Sequence, residues 1–275
     1  MKLRDALLLN TPLAGLNVTV FAMALAYVVW LSFTAGATLY ENYATVLQDP
    51  LFHIILTRTV WLSLLASAIS VVLAYVVAFH MWVSTPRMRA VLTLIVISPL
   101  LISVVVRTFG WMLLFGSSGA IAHALDALGV SNSRLLYTVT GVVIALIHVH
   151  LPYAVLSILA SFDNINPALL RASSSLGATA YKVFTSVILP LTLPGVFAAG
   201  MLTFVLNMGS FVTPIMIGGP RQLTLGGYVH QEIMIFYHEG PGFAASILTL
   251  VLIVALTAIA TRIFKMRQSL HAAGG

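Results

Sequence analysis

The chain has 275 residues, of which 60% are hydrophobic and only 7% charged, and its mean hydropathy is +1.05. Soluble domains carry about a quarter charged residues, so this composition excludes an ordinary soluble domain and predicts a polytopic membrane protein. The formal charge of +6 is scattered in ones, twos and threes at the ends of apolar runs, which argues against binding to nucleic acid. The absence of cysteine excludes disulfide scaffolds and cysteine-ligated metals.

Six apolar segments are each long enough to cross the hydrocarbon of a bilayer, which takes roughly 20 residues of helix. They lie at about 13–34, 57–82, 91–115, 138–160, 191–213 and 243–264. Backbone polar groups in lipid must be satisfied within each segment, and no strand-like alternation supports a barrel. The sequence therefore predicts an all-α bundle of six transmembrane helices, with residues 1–275 forming a single transmembrane domain.

The distribution of Lys and Arg between loops predicts that both termini are cytoplasmic, because these residues are enriched on that side of the membrane. In this orientation nine cations are cytoplasmic: Lys2, Arg4, Arg87, Arg89, Arg171, Lys182, Arg262, Lys265 and Arg267. Four are outside: Arg58, Arg107, Arg134 and Arg221. The acids show the opposite trend, with Asp5 and Asp163 inside and with Glu41, Asp49, Asp126, Glu232 and Glu239 outside.

The N-terminus has a second interpretation. A basic start followed by an apolar run and Ala35-Gly36-Ala37 resembles a signal peptide with its cleavage site. The apolar region of a signal peptide has about 7–15 residues, whereas this run has about 20. The length favours an uncleaved first span.

The cytoplasmic segment 161–190 interrupts the apolar pattern. Asn166 and Pro167 are typical of a helix start, as N-cap and first helical residue, and Gly177 predicts a left-handed end to that helix. One face of this helix carries four residues at helical spacing: Leu169, Leu170, Ser173 and Leu176. A second short helix is expected over 178–187. Most loops are only a few residues long, so this capped segment indicates a surface for another protein.

The same residues resemble the cytoplasmic signature of permease subunits of bacterial ABC importers, which reads E-A-A, three residues, G, nine residues, I-x-L-P. Here it reads Arg171-Ala172-Ser173, then Gly177, then Val187-Ile188-Leu189-Pro190. Arg171 replaces the usual glutamate and Ser173 the usual alanine. The resemblance implies a set of ATPase-coupling residues: Arg171, Ala172, Ser173, Leu176, Gly177, Ala178, Leu189 and Pro190.

Four further segments, at 57–60, 105–111, 150–156 and 209–220, resemble the spermidine/putrescine-type branch of these permeases, and the last is more similar to the first permease of the pair. The resemblance implies the type I permease fold in the bacterial inner membrane. It also implies the partners: a second homologous permease, two ATPase subunits that carry ATP and Mg²⁺, and a periplasmic substrate-binding protein. This chain would hold no cofactor. The glycine-broken element would act as a coupling helix, through which closure of the ATPase dimer rocks the permeases between inward- and outward-facing states. The substrate would be a polyamine or a related small organic solute, although the branch also imports phosphonates, opines and ferric iron.

Ionisable residues within spans are candidates for function, because burying them in lipid is costly. His148 and His150 could form a proton relay or a metal site, but two histidines without a nearby Asp, Glu or Cys make a poor metal site. Hydrogen-bonded packing near Pro152 is the favoured alternative. Arg107 is expected to end the third span on the outer side, where it could meet a substrate anion or the binding protein, or extend to the membrane interface.

The fifth span is rich in small and polar residues. Its small residues suit close packing against the partner permease or neighbouring spans; they are Pro194, Gly195, Ala198, Ala199 and Gly200. The candidate substrate path combines polar and aromatic residues of the third and fifth spans: Arg107, Trp111, Asn207, Ser210, Phe211 and Thr213. Core packing is the alternative for each of the four fifth-span residues. The 214–242 segment that follows is expected to form an outer gate and docking surface, on which Glu232 and Glu239 are solvated.

Two other functions compete with the importer permease. A proton-coupled secondary transporter could use His148 or His150, but no Asp or Glu lies deep in any predicted span. A membrane enzyme with a buried histidine pair is disfavoured by the lack of a nucleophile or a set of metal ligands. The chain also contains no P-loop, no H-E-x-x-H and no G-x-S-x-G motif. We therefore expect a transport subunit that is not itself an enzyme and that relies on ATP hydrolysis by another chain.

Overall fold

The structure is a computed structural model that describes residues 3–35, 38, 40–129 and 134–273, with side-chain surroundings between residues 15 and 266. Lys2 and residues 36–37 of the candidate cleavage site lie outside the described residues, as do the side chains of Arg4, Asp5 and Arg267. The described chain is helical and contains no strand. Six helical stretches are long and apolar enough to cross a membrane: Gly15–Thr34, Pro50–Val83, Val104–Ala127, Val139–Asp163, Ala180–Met208 and Glu239–Met266. The all-α prediction with six spans is confirmed.

Twelve α-helices follow one another along the described chain. They are α1 (Leu3–Thr34), α2 (Glu41–Gln48), α3 (Pro50–Val83), α4 (Pro86–Ile97), α5 (Val104–Phe115), α6 (Ala120–Ala127), α7 (Val139–Asp163), α8 (Pro167–Ser175), α9 (Ala180–Val183), α10 (Leu189–Met208), α11 (Leu225–Met234) and α12 (Glu239–Ala273). The chain divides into two compact units, Met1–Ile54 with Tyr228–Gly275, and Ile55–Gly227. The single transmembrane domain stays a prediction.

In the first unit, α12 packs against α1 and α2. Asn42 of α2 is buried, and its amide donates a hydrogen bond to the carbonyl oxygen of Ser32 at 3.0 Å. The Ser32 hydroxyl also bonds to the Tyr43 hydroxyl at 2.8 Å. Gly240, at the start of α12, lies directly against the Asn42 amide, where a Cβ atom would come within 2.5 Å of the amide oxygen. A glycine is therefore required for α12 to approach α2 this closely.

In the second unit, the main packing is between α7 and α10. Gly195 of α10 lies against Ser161 of α7 so closely that a Cβ atom would overlap the serine side chain. Ala199 is fully buried in the same core cluster as Ala154 and Ile158 of α7. Gly195 and Ala199 thus pack against a neighbouring span of the same chain, while Pro194 and Ala198 are exposed, and contact of these two residues with a partner permease stays a prediction. Small residues allow this approach, because packing in lipid depends on close backbone contact.

The third predicted span, 91–115, is not one continuous helix, so its predicted boundaries are wrong. Helix α4 ends at Ile97, a 3-10 turn covers Ser98–Leu101, and Ile102 is extended before α5 begins. Pro99 accounts for the break, because it has no N–H to donate to the carbonyl of Ile95. The Ser98 hydroxyl donates to that carbonyl instead, at 3.0 Å.

The fifth span begins earlier and ends earlier than 191–213. Helix α9 continues through a π-helical turn, Phe184–Ile188, directly into α10, which ends at Met208. The expected separate helix over 178–187 is therefore the base of the span itself. A wider π turn suits a position just before Pro190 and Pro194, neither of which can donate a helical hydrogen bond.

The 214–242 segment contains its own helices. A π-helical turn covers Pro214–Gly218, a 3-10 turn covers Pro220–Gln222, and α11 follows. The Leu225 N–H, in the first turn of α11, donates to the Thr59 hydroxyl of α3 at 2.9 Å. This bond ties the start of α11 to the second span.

Candidate coupling surface and translocation path

Helix α8 is capped at both ends as the sequence predicts. The Asn166 side chain accepts a hydrogen bond from the Ala168 N–H at 2.9 Å, and Pro167 occupies the first turn. At the other end, the Ala178 N–H donates to the Ser173 carbonyl at 3.1 Å and the Gly177 N–H to that of Ser174 at 3.0 Å. This pair of bonds is a Schellman motif. Gly177 has a φ of +76°, the left-handed conformation expected of it.

Most of the surface of α8 is exposed in the described chain. None of its residues is buried, and Leu176, its C-cap residue, is 88% exposed. Arg171 and Ala172 are exposed, whereas Leu170 is partly buried and packs against the core cluster of α7 and α10. An exposed leucine beside an exposed cation is typical of a contact surface for a protein partner.

A cleft of about 530 Å³ lies between the end of α8 and the base of the fifth span. Its lining includes Ser173, Leu176, Gly177, Ala178 and Lys182. The structure thus brings four of the predicted coupling residues together. Arg171 and Ala172 lie outside this lining, on the exposed face of α8, and Leu189 and Pro190 lie in the first turn of α10.

Asn207 is a buried tie between three helices. Its side-chain oxygen bonds to Nδ1 of His150 on α7 at 2.8 Å, and its amide nitrogen donates to the Ser67 hydroxyl on α3 at 3.0 Å. Because an amide oxygen only accepts, His150 carries its proton on Nδ1. Asn207 is 1% exposed, and these two hydrogen bonds give both of its side-chain polar atoms a partner within the chain. Hydrogen-bonded packing is therefore the observed state of His150, and the described residues contain no group of three metal-ligating side chains.

Ser67 was missed by the sequence interpretation, although a signal for it exists. Thr59, Ser63, Ser67 and Ser70 recur on α3 at spacings of three and four residues, and all are buried. A helix-spaced row of small hydroxyl residues indicates a polar face turned toward other helices. The row identifies the side of α3 that meets the rest of the unit.

Arg107 lies deeper than expected. It belongs to the first turn of α5, not to the outer end of a span, because the break at 98–103 restarts the helix there. His148 and His150 lie midway along α7. Trp111, one turn further along α5, donates from Nε1 to Nδ1 of His148 at 3.1 Å. The expectation that Arg107 ends the third span on the outer side is wrong.

The other candidate path residues differ in accessibility. Thr213 is buried, and its hydroxyl bonds to that of Thr108 at 3.1 Å. Phe211 is 40% exposed in the non-helical stretch after α10. The Ser210 carbonyl accepts from the Thr224 hydroxyl at 3.2 Å. Arg107, Trp111, Ser210 and Phe211 are thus the path candidates that remain partly accessible, and their role in the path stays a prediction.

The acids of the outer segment are not equivalent. Glu239 is exposed, as expected, but the Glu232 side chain is only 14% exposed and bonds to Nδ1 of His238 at 3.1 Å. The Tyr228 hydroxyl donates to Asp49 at 3.1 Å. Burial raises the pKa of Tyr228, and the charge of Glu232 and the bond to Asp49 raise it further, so this phenol stays protonated.

Comparison with known proteins identifies the family. Residues 70–268 match the family described as the binding-protein-dependent transport system inner membrane component. This chain belongs to that family. It is 30% identical to the spermidine/putrescine transport system permease protein PotB of Haemophilus influenzae, over 82% of this chain and 79% of that protein. It is 28% identical to PotB of Escherichia coli, over 78% of each chain.

Solved structures show the same fold. A chain of a bacterial alginate ABC transporter, in complex with an alginate pentasaccharide-bound periplasmic protein, superposes with a TM-score of 0.76 at 19% identity, covering 94% of both chains. A chain of the MetNI methionine ABC transporter gives 0.56 at 19% identity, over 80% of this chain and 99% of that one. The family and the six apolar helices together make this chain a multi-pass inner-membrane permease of an ABC importer.

Proposed function

We propose that this permease forms the translocation path for a small amine-bearing organic solute, and that it is driven by ATP hydrolysis on separate ATPase subunits. The relatives named for spermidine and putrescine support this substrate class, so putrescine is the first solute to test. The family favours this function over a proton-coupled secondary transporter. No ATP-binding motif occurs in the sequence, so ATP and Mg²⁺ are expected on the partner chains.

The observation that carries the proposal is the uncovered, doubly capped helix α8. A short helix held by caps at both ends can transmit a push as a rigid body, whereas a flexible loop cannot. Leu176 and Arg171 offer apolar and charged contacts on its exposed surface. In our proposal this exposed side of α8 is the coupling surface, through which the ATPase moves the permease.

The connection from α8 to the fifth span supports the same mechanism. The cleft beside α8 is lined on its other side by α9 and the π turn, which continue without a break into α10. Helix α10 is in turn packed against α7. A displacement of α8 and α9 would therefore be passed to the two most closely packed spans of this unit.

The full importer would contain a second homologous permease, two ATPase subunits and a periplasmic binding protein. Six spans make a small bundle to enclose a gated path alone, which is why we expect an obligate pair of permeases. The segment 214–242 would meet the binding protein. The Lys and Arg distribution supports cytoplasmic termini and a cytoplasmic α8.

The test uses Arg171→Glu in the complete complex. If Arg171 faces a neutral or acidic site on the ATPase, reversing its charge weakens docking, and more so at low salt, where charges are less screened. Arg262→Glu is the matched control, since Arg262 is an exposed cation of α12 predicted to lie on the same side of the membrane. Co-purification of the ATPase, and putrescine uptake into proteoliposomes with ATP, are measured. ATP-independent uptake by this chain alone would contradict the proposal.

A further inference from the structure

Arg107 carries a charge that the described chain does not neutralise. Its Nε and Nη1 atoms are shielded from solvent and have no hydrogen-bond partner among the described residues. Within 55–227 the described acids are Asp126 on α6 and Asp163 at the end of α7, and Asp163 bonds to Arg89 at 2.6 Å.

An unneutralised guanidinium is costly inside a span. Charged groups in transmembrane segments face a cavity or the interior of the bundle, and they pair with other groups or mark a substrate pathway. Arg107 lies one turn before Trp111, which bonds to His148 near the middle of α7, so extension to the membrane interface does not explain it. A counter-charge is therefore expected from outside this chain.

The surroundings of Arg107 also favour negative charge. His148 accepts the Trp111 hydrogen bond on Nδ1, so its neutral ring carries the proton on Nε2 and offers a second donor. The break before α5 leaves a helix start with no side-chain cap in the same region. The first turn of a helix has free N–H groups and the positive end of the helix dipole. Transporters place such broken helices at their substrate sites, where the free N–H groups meet anionic groups of the substrate.

We propose that Arg107, with His148 and Trp111 beside it, binds an anionic group of the transported solute, a carboxylate in the simplest case. The inference rests on the proposed transport function and narrows its substrate class. The solute then carries an acid as well as an amine, as an amino acid does, because a purely cationic polyamine would be repelled by this guanidinium. The competing source of negative charge is an acidic side chain of the second permease.

The test compares putrescine with its matched carboxylate analogue 4-aminobutanoate, which has the same four-carbon chain with a carboxylate in place of one aminomethyl end. Both are titrated to millimolar concentration into the purified permease–ATPase complex in nanodiscs, without binding protein or ATP. Trp111 fluorescence is the reporter, and its signal is assigned by difference against Trp111→Phe. We expect a saturable response to 4-aminobutanoate that is stronger than that to putrescine by roughly tenfold or more, the factor for a hydrogen bond to a charged group.

Arg107→Gln should abolish the preference between the two probes, whereas Arg134→Gln, at an exposed arginine outside the spans, should preserve it. Equal or tighter binding of putrescine, no saturable response to 4-aminobutanoate, or a preference that survives in Arg107→Gln would each overturn the inference. Loss of co-purification with the second permease in Arg107→Gln would also overturn it, because the counter-charge would then belong to that subunit. None of these outcomes affects ATPase docking at α8, so the proposed function is tested separately.

Discussion

The left-handed residue at the end of α8 gives the sharpest test of the coupling surface. Gly177 has a φ of +76°, and a Cβ atom built on it would meet nothing within 4 Å. A side chain at this position would therefore not overlap any atom of this chain. The left-handed backbone conformation itself costs about 1–2 kcal/mol for an ordinary L-residue, and β-branched residues tolerate it least. Asn enters this region far more readily.

Gly177→Val and Gly177→Asn separate backbone strain from bulk, because their side chains are of similar size. If the valine gives up the left-handed conformation, the two Schellman hydrogen bonds to the Ser173 and Ser174 carbonyls are lost. A penalty of one or two kcal/mol reduces the population of the native helix end by roughly 5- to 30-fold. We expect docking of the ATPase to weaken by a factor in this range in Gly177→Val and to change little in Gly177→Asn.

The assay is co-purification of the ATPase with each variant, followed by ATP hydrolysis stimulated by loaded binding protein in nanodiscs. Normal docking and stimulation in Gly177→Val would refute the requirement for a left-handed cap. Equal loss in Gly177→Val and Gly177→Asn would show that the partner surface rejects any side chain here, and it would contradict the argument from backbone strain.

Two further predictions concern packing between spans. Asn207→Leu removes the hydrogen-bond acceptor of the buried His150 ring, and we expect it to lower the free energy of unfolding by about 1–3 kcal/mol. The loss should appear as a lower melting temperature in detergent. An unchanged melting temperature would contradict a stabilising role for the bonds of Asn207 to His150 and Ser67. Gly195→Ala places a Cβ atom onto Ser161, whereas Gly200→Ala meets only a methyl group at 3.7 Å. Only the first should lower the melting temperature, by an overpacking penalty of about 1–3 kcal/mol, and Ser161→Gly should restore part of it.

The sequence by itself determined the fold class and the capped ends of α8. Membrane spans are set by a composition that lipid imposes locally, and helix caps depend on residues within a few positions of each other. Asn166, Pro167 and Gly177 therefore predicted their own geometry. The π turn at Phe184–Ile188 was not predicted, because composition does not show whether two helical segments join through a widened turn.

The candidate path was decided by tertiary structure, for a physical reason. The sequence assigned Asn207 and Phe211 to the same candidate path, because both lie near the end of one span. In the structure, Asn207 is buried and bonded to His150 and Ser67, whereas Phe211 stays accessible. Those contacts come from residues 57 and 140 positions away, and no local pattern encodes them. The depth of Arg107 was likewise hidden, because it follows from how the break at Pro99 sets α5 against α7. Local sequence determines where each helix forms and how it is capped. Packing between helices that are distant in sequence determines which side chains remain available to a substrate.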